Sequence, residues 1–381
     1  MQKRITQLLC GVLLTTTPLL SNAQLTLPPS GDNQQSAVSQ WMGPVRVDIT
    51  YSSPDVHAPD GSDRTGHIWG ELVPYGMVNL QFGYSNENHP SPWRGGANMN
   101  TTISFSHDVL VNGSALKAGT YGLHFIPNKD EWTVIFSSNS TSWGSFFYKP
   151  EEDVLRVQTK PAANNYHEWL TYEFTDRQTD ACTVELMWEL LRVPISIKVP
   201  DIKQVYVENF RKQLRSDVGF NYQAWVDAAN YCVANNVNLQ EALTWANYAI
   251  EEPFFGRVNF ATLSCKASVL KALGKTVQSD SIMKVAIADP TASLMDVHFY
   301  ARGLQAEKKN KEALEIFLIN YQKHPESPVT NLGLARGYSA NGDYKNALKY
   351  AKAAQKLNPD PQVKQTLENA IKTLEAGKDF N

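Results

Sequence analysis

The hydrophobic pattern of this chain changes period at Pro200, and that change limits the fold more than any other feature. Before it, apolar residues alternate with polar ones. Val45, Val47 and Ile49 are interleaved with Arg46, Asp48 and Thr50, the two-residue period of a strand with one buried face. After it, small and apolar residues recur at helical spacing. Asp201 stands where a helix N-cap belongs, ahead of Val205, Phe210 and Leu214. The helical half also repeats itself. Ala301, Ala313 and Pro325 return 34 residues later as Ala335, Ala347 and Pro359, and Leu304 returns as Tyr338. One step back the same frame meets Ala267, Leu270 and Gly274, and before them come Ala242, Ala246 and Ala249 with Pro253.

The last unit reads Leu334-Ala335, Tyr338, Gly342, Tyr344, Ala347, Ala351 and Ala354, closing at Pro359. Small residues at these places let two antiparallel helices approach, and the proline ends the pair. The pattern resembles the tetratricopeptide repeat over roughly residues 220–376. The resemblance implies an all-α solenoid of four units within residues 201–381. In that family the concave face usually holds a peptide or a protein partner.

The half before Pro200 predicts an all-β antiparallel domain, a sandwich or jelly roll, over residues 41–200. Short apolar runs such as Trp132 to Phe136, Phe146 to Tyr148 and Leu170 to Phe174 lie at close spacing. Asn112-Gly113 and Ala118-Gly119 punctuate them as turns. Roughly ten strands are expected, and no amphipathic helix interrupts them, which argues against a parallel α/β sheet. Four motifs then appear in order. They are Arg64-x-Gly66-x-Ile68-x-Gly70-x-Leu72-x-Pro74-Tyr75-Gly76, Trp93-Arg94-x-Gly96-Ala97-Asn98, Gly113-x-x-Leu116-x-Ala118-Gly119-x-Tyr121 and Trp143-Gly144. Together they resemble DUF2911, an exported bacterial family known as a domain of unknown function, over about residues 45–200. The resemblance implies a secreted β-sandwich and no particular activity. That family's pattern has an acid shortly after the asparagine, where this chain has Met99-Asn100.

The amino-terminal residues read as an address. Lys3 and Arg4 precede an apolar run over residues 8–20, and Ser21-Asn22-Ala23 closes it with small residues. This is the three-part pattern of a signal peptide over residues 1–23, and the run is too short for a membrane span. Residues 24–40, rich in Pro, Ser, Asn and Gln, read as a flexible lead-in. The expected address is therefore the periplasm or the outside of the cell, with no transmembrane segment in the mature chain. A formal net charge of −3 without a basic stripe argues against nucleic acid as a partner. Cys182, Cys232 and Cys265 remain after the signal, an odd number. They read as buried small hydrophobes, with a Cys232–Cys265 bridge as the alternative.

The polar residues that stand out are Arg94 and Asn98, on a glycine-rich segment between aromatics. A guanidinium fork and an amide suit a carboxylate or sugar hydroxyls, with Trp93 or Trp143 as a stacking wall. The plainer reading makes Arg94 a pin for its loop. Arg64 and His124 complete the ligand-binding candidates. No His-x-His pair supports a metal site, and no cofactor is expected. Asp60-x-Ser62 fails as a calcium loop, because Arg64 and Thr65 stand where a ligand and a glycine belong. His167-Glu168 fails as a zinc-protease motif, with Thr171 at the second histidine's place. Glu185 and Glu189, like Glu151 and Glu152, read as surface or edge charges.

The reading that results is an exported binding or scaffold protein rather than an enzyme. The repeats would dock a peptide or protein, and the β domain would hold a small ligand or a second partner. The alternatives are a hydrolase of glycan or peptide, with its site near Arg94, Asn98 and His124, and a purely structural envelope protein.

Overall fold

The structure is a computed structural model that describes residues 33–58 and 60–381. The segment read as a signal peptide and the first part of the residues read as a lead-in lie outside the described residues. The chain divides into two compact units, Met1–Pro200 and Asp201–Asn381.

The first unit holds two antiparallel sheets. Six strands form one sheet: β1 (Gln34–Met42), β2 (Val45–Ser53), β3 (Thr102–Phe105), β6 (Gly119–Ile126), β7 (Trp132–Ser137) and β8 (Asp153–Thr159), in that order across it. The other has the order β5-β4-β10-β9, with β4 at Val109–Val111, β5 at Ser114–Leu116, β9 at Ala162–Thr175 and β10 at Ala181–Lys198. Val45, Val47 and Ile49 are fully buried, as alternation requires. The sheets are joined by side chains: Tyr51 on β2 meets Tyr172 on β9 edge to face at 4.9 Å, and Ser53 Oγ donates to Leu170 O at 2.6 Å.

Three expectations are corrected here. Residues 34–40 are not a lead-in but most of strand β1, which pairs along its whole length with β2. Their polar composition fits an edge strand whose side chains stay largely in solvent. Phe146 to Tyr148 is no strand; it is irregular chain, and the ring of Tyr148 is buried. Glu185 and Glu189 are not surface charges, being 4% and 5% exposed. The carboxylate of Glu185 takes Arg192 at 2.5 Å, and that of Glu189 takes the Gly66 N–H at 2.5 Å. Bulges beside Glu189 shift the register of β10 against β9, and Glu189 itself has φ +55°. Simple alternation therefore misplaces these side chains.

Between β2 and β3, the described residues of 54–101 contain no regular strand. This long segment is pinned by backbone pairs such as Gly76 N to Pro127 O and Trp93 N to Phe125 O, both at 2.8 Å. Its own Trp69 and Trp93 meet each other and pack on Trp132 of β7 and Trp188 of β10, with ring centres 5.2–6.4 Å apart. Such a cluster is the aromatic mass expected of a core.

The second unit is helical. α1 (Ile202–Gln213) starts at Asp201, whose side chain accepts the Gln204 N–H. Four antiparallel pairs follow: α2 (Tyr222–Asn235) with α3 (Leu239–Glu251), α4 (Phe260–Ala272) with α5 (Thr276–Ala288), α6 (Leu294–Ala306) with α7 (Asn310–Lys323), and α8 (Pro328–Ala340) with α9 (Tyr344–Lys356). Helix α10 (Pro361–Glu375) packs on α9. The repeated alanines are the contact points. Ala242, Ala246, Ala301, Ala313, Ala335, Ala347, Ala351 and Ala354 all have no exposed surface. Cys182, Cys232 and Cys265 are free and buried, so the bridge left open above does not form. Burial pushes the Cys232 thiol up to about 11 and that of Cys265 up to about 12.

Candidate functional site

The irregular segment 54–101 encloses a cavity of about 390 Å³ in the first unit. Two of the four sequence motifs build most of its wall. From the first come Arg64, Leu72, Val73, Pro74 and Gly76, and from the second Trp93, Arg94, Gly96, Ala97 and Asn98. Ser145, next to the Trp143-Gly144 motif, and Trp188 of β10 complete the wall that matters here. Its size and mixed lining fall within the range of small-ligand sites.

Local geometry explains why the chain arrives this way. Gly95 has φ +63°, and a Cβ there would lie 2.5 Å from the buried Phe125 ring. Only glycine lets the loop lie so close to the sheet. The Gly95 carbonyl, turned inward, accepts from Tyr172 Oη at 2.8 Å and from Thr101 Oγ1 at 3.2 Å. Asn98, at φ +56°, is a residue type that tolerates the left-handed region. Asn100 is buried, and its amide donates to Asn139 O and Ser142 Oγ.

The two arginines of the cavity differ in their partners. Arg64 is neutralised: it pairs with Asp55 at 2.8 Å and donates to the carbonyls of Asp55 and Val56. Arg94 has no carboxylate within ion-pair distance among the described residues. Its Nη1 donates to Asn98 O at 2.5 Å, its guanidinium lies 4.9 Å from the Phe146 ring centre, and it rests against Gly144. Burial alone lowers its pKa, as expected for a cation removed from water without an anion. Among the described residues, no Asp or Glu lines the cavity. The lining residue Trp188 keeps a buried indole N–H without a partner among the described residues.

The other candidates divide. Trp93 stacks on Trp188 at 6.4 Å and faces the cavity. Trp143 is 54% exposed and lies outside the lining, so it is not the stacking wall. His124 sits behind Ser145, with Nδ1 2.9 Å from Ser145 Oγ. Burial, and after it the Arg94 charge, brings its pKa down to about 4. The pair lacks the orienting carboxylate of a nucleophile–base–acid arrangement among the described residues, and a base that weak is poorly matched to neutral pH. Ser145 was missed by sequence reading, since a lone serine carries no spacing signal. No group of three metal-ligating side chains occurs among the described residues.

An antiparallel β-sandwich with an arginine-bearing cavity, joined to paired helical repeats, is the class of protein these observations define. Residues 33–197 match the model of the family described as a protein of unknown function, DUF2911, the family that the motifs resembled. No curated protein matches the chain. Among solved structures, similarity is found to YrrB, described as a TPR protein with an unusual peptide-binding site. The identity is 17%, with 44% of this chain and 84% of that one covered and a TM-score of 0.30. MamA from Desulfovibrio magneticus RS-1 is 16% identical, with 41% and 90% covered and a TM-score of 0.29.

Proposed function

We propose that this is an exported, non-catalytic binding protein whose β unit holds a small organic anion through Arg94, while its helical repeats dock a peptide or protein. The observation that carries the ligand reading is Arg94 itself, a largely buried guanidinium in a cavity with no acid among its described lining residues, using one strong hydrogen bond to Asn98 O. An unpaired buried charge costs several kcal/mol, and a carboxylate would supply the missing partner in bidentate form. Trp93 and the apolar residues Leu72, Val73 and Val78 suit a flat or aliphatic body attached to that carboxylate. Export rests on the reading of residues 1–23.

The test is calorimetric titration with matched pairs, such as indole-3-acetate against indole-3-acetamide. The acid should bind more tightly than the amide, and Arg94→Met should remove the difference. Arg94→Met should also keep or raise the melting temperature, because it removes an uncompensated charge. Equal binding of acid and amide, or unchanged affinity in Arg94→Met, would refute the assignment.

A further inference from the structure

We propose that the face shared by helices α6 and α8 is a docking site for a peptide bearing an acidic residue followed by an aromatic one, and that residues 379–381 of this chain occupy it in cis. The proposal rests on the reading of the repeats as a peptide-docking unit and deepens it by naming the site and the ligand chemistry.

The chain turns back after α10 at Gly377, with φ +69°. It then lies on the first helices of the last two repeat pairs. Asp379 Oδ1 accepts from Ser339 Oγ at 2.5 Å, and the Phe380 N–H reaches the same hydroxyl at 3.3 Å. The Phe380 ring lies under the Arg336 guanidinium at 5.3 Å and packs against the apolar cluster of α8, α9 and α10. Asn381 donates to Arg336 O at 3.1 Å and accepts from Arg302 Nη1 at 3.3 Å. Side chain and backbone are thus both read, as in a peptide complex.

The surface beneath is cationic and under-neutralised. Neither Arg302 nor Arg336 has a carboxylate within ion-pair distance among the described residues. Arg336 is pushed down to about 10 by burial first, then by Arg302, with Asp379 opposing. His298, one turn before Arg302, is buried with Nδ1 unpartnered, and burial and then these two arginines bring it down to about 4. A site with two guanidiniums beside an apolar cluster favours an anion next to a ring. Residues 379–381 supply that combination, with the Asp379 carboxylate beside the Phe380 ring. A tethered ligand of this kind competes at an effective concentration on the order of millimolar, so it masks the face without closing it permanently.

The experiment is fluorescence anisotropy with a labelled peptide of sequence 373–381, titrated with full-length chains. In the variant Asp379→Ala/Phe380→Ala the cis tail is released, and the peptide should bind about tenfold more tightly than to wild type. Adding Arg302→Met to that variant should return the affinity to the wild-type level or below. A peptide carrying the same two alanines should bind none of the chains, a control that needs no change to the protein. If the released variant binds the peptide no better than wild type, or binds the alanine peptide equally well, cis occupancy is wrong. If a random peptide library then still enriches ligands for the repeats, only the assigned occupant falls. If the library also fails, the peptide-docking reading of the repeats falls with it.

Discussion

Replacing Gly95 by alanine would separate two costs that usually come together. The native φ of +63° lies in the left-handed region, which costs an L-residue about 1–2 kcal/mol. The new methyl would also sit 2.5 Å from the Phe125 ring and 2.7 Å from Tyr172 Oη. Phe125 is fully buried, so the ring has little room to move, and overpacking of this kind costs a further ~1–3 kcal/mol. The total is about 2–5 kcal/mol. For a domain of this size that lowers the melting temperature by roughly 5–15 °C. Gly113 provides the control. It has φ +84° but nothing within 4 Å of its would-be Cβ, so Gly113→Ala bears only the backbone cost of about 1–2 kcal/mol. Differential scanning calorimetry of the two full-length variants measures the difference directly. Equal losses at both positions would show that the Gly95 loop is not seated on Phe125 as described, and the cavity wall would have to be redrawn. Ligand binding adds a second readout, since a displaced Gly95 moves Arg94 and Asn98 with it.

The remaining predictions concern acid, core and address. His124 is held neutral down to about 4 in the folded state, while the unfolded side chain takes its proton near 6.5. Between those values the unfolded state binds more protons, so stability should fall as pH drops from 6.5 to 4, by about 3 kcal/mol at the bottom. In a urea-denaturation series His124→Gln should reduce that slope, leaving the part that His298 contributes over the same window, and an unchanged slope would contradict its burial. Phe317, 1% exposed between α6, α7 and α8, should cost about 3–5 kcal/mol when cut to alanine, read as a lowered urea midpoint. Thiol titration of protein purified from its native host should find three thiols in denaturant and almost none before. Four would mean that Cys10 is retained and that the signal reading is wrong.

Much of the architecture was legible because both halves carry a periodic signal. The repeated alanines had to be buried, since a larger side chain at Ala301 or Ala347 would force the paired helices apart, and each has no exposed surface. Val45, Val47 and Ile49 likewise announced a half-buried strand. Periodicity failed where the burial it reports was missing or doubled. Strand β1 is an edge strand with polar side chains, so it looked like linker. On β10 the bulges at Glu189 broke the alternation, so two buried carboxylates looked like surface charge. Arg94 and Asn98 were singled out by residue type, but their surroundings were not readable.

Local preference, then, was enough to mark where strands end and helices begin, because turns, caps and small-residue contacts act within a few positions along the chain. Whether a charge finds a counter-charge depends on residues far away in sequence, and only folding decides it. Arg64 meets Asp55 and becomes part of the scaffold; Arg94 meets an aromatic ring and a carbonyl and keeps its charge available. That difference, set by how the segment between β2 and β3 lies on the sheets, separates an arginine spent on the scaffold from one left without a carboxylate partner among the described residues.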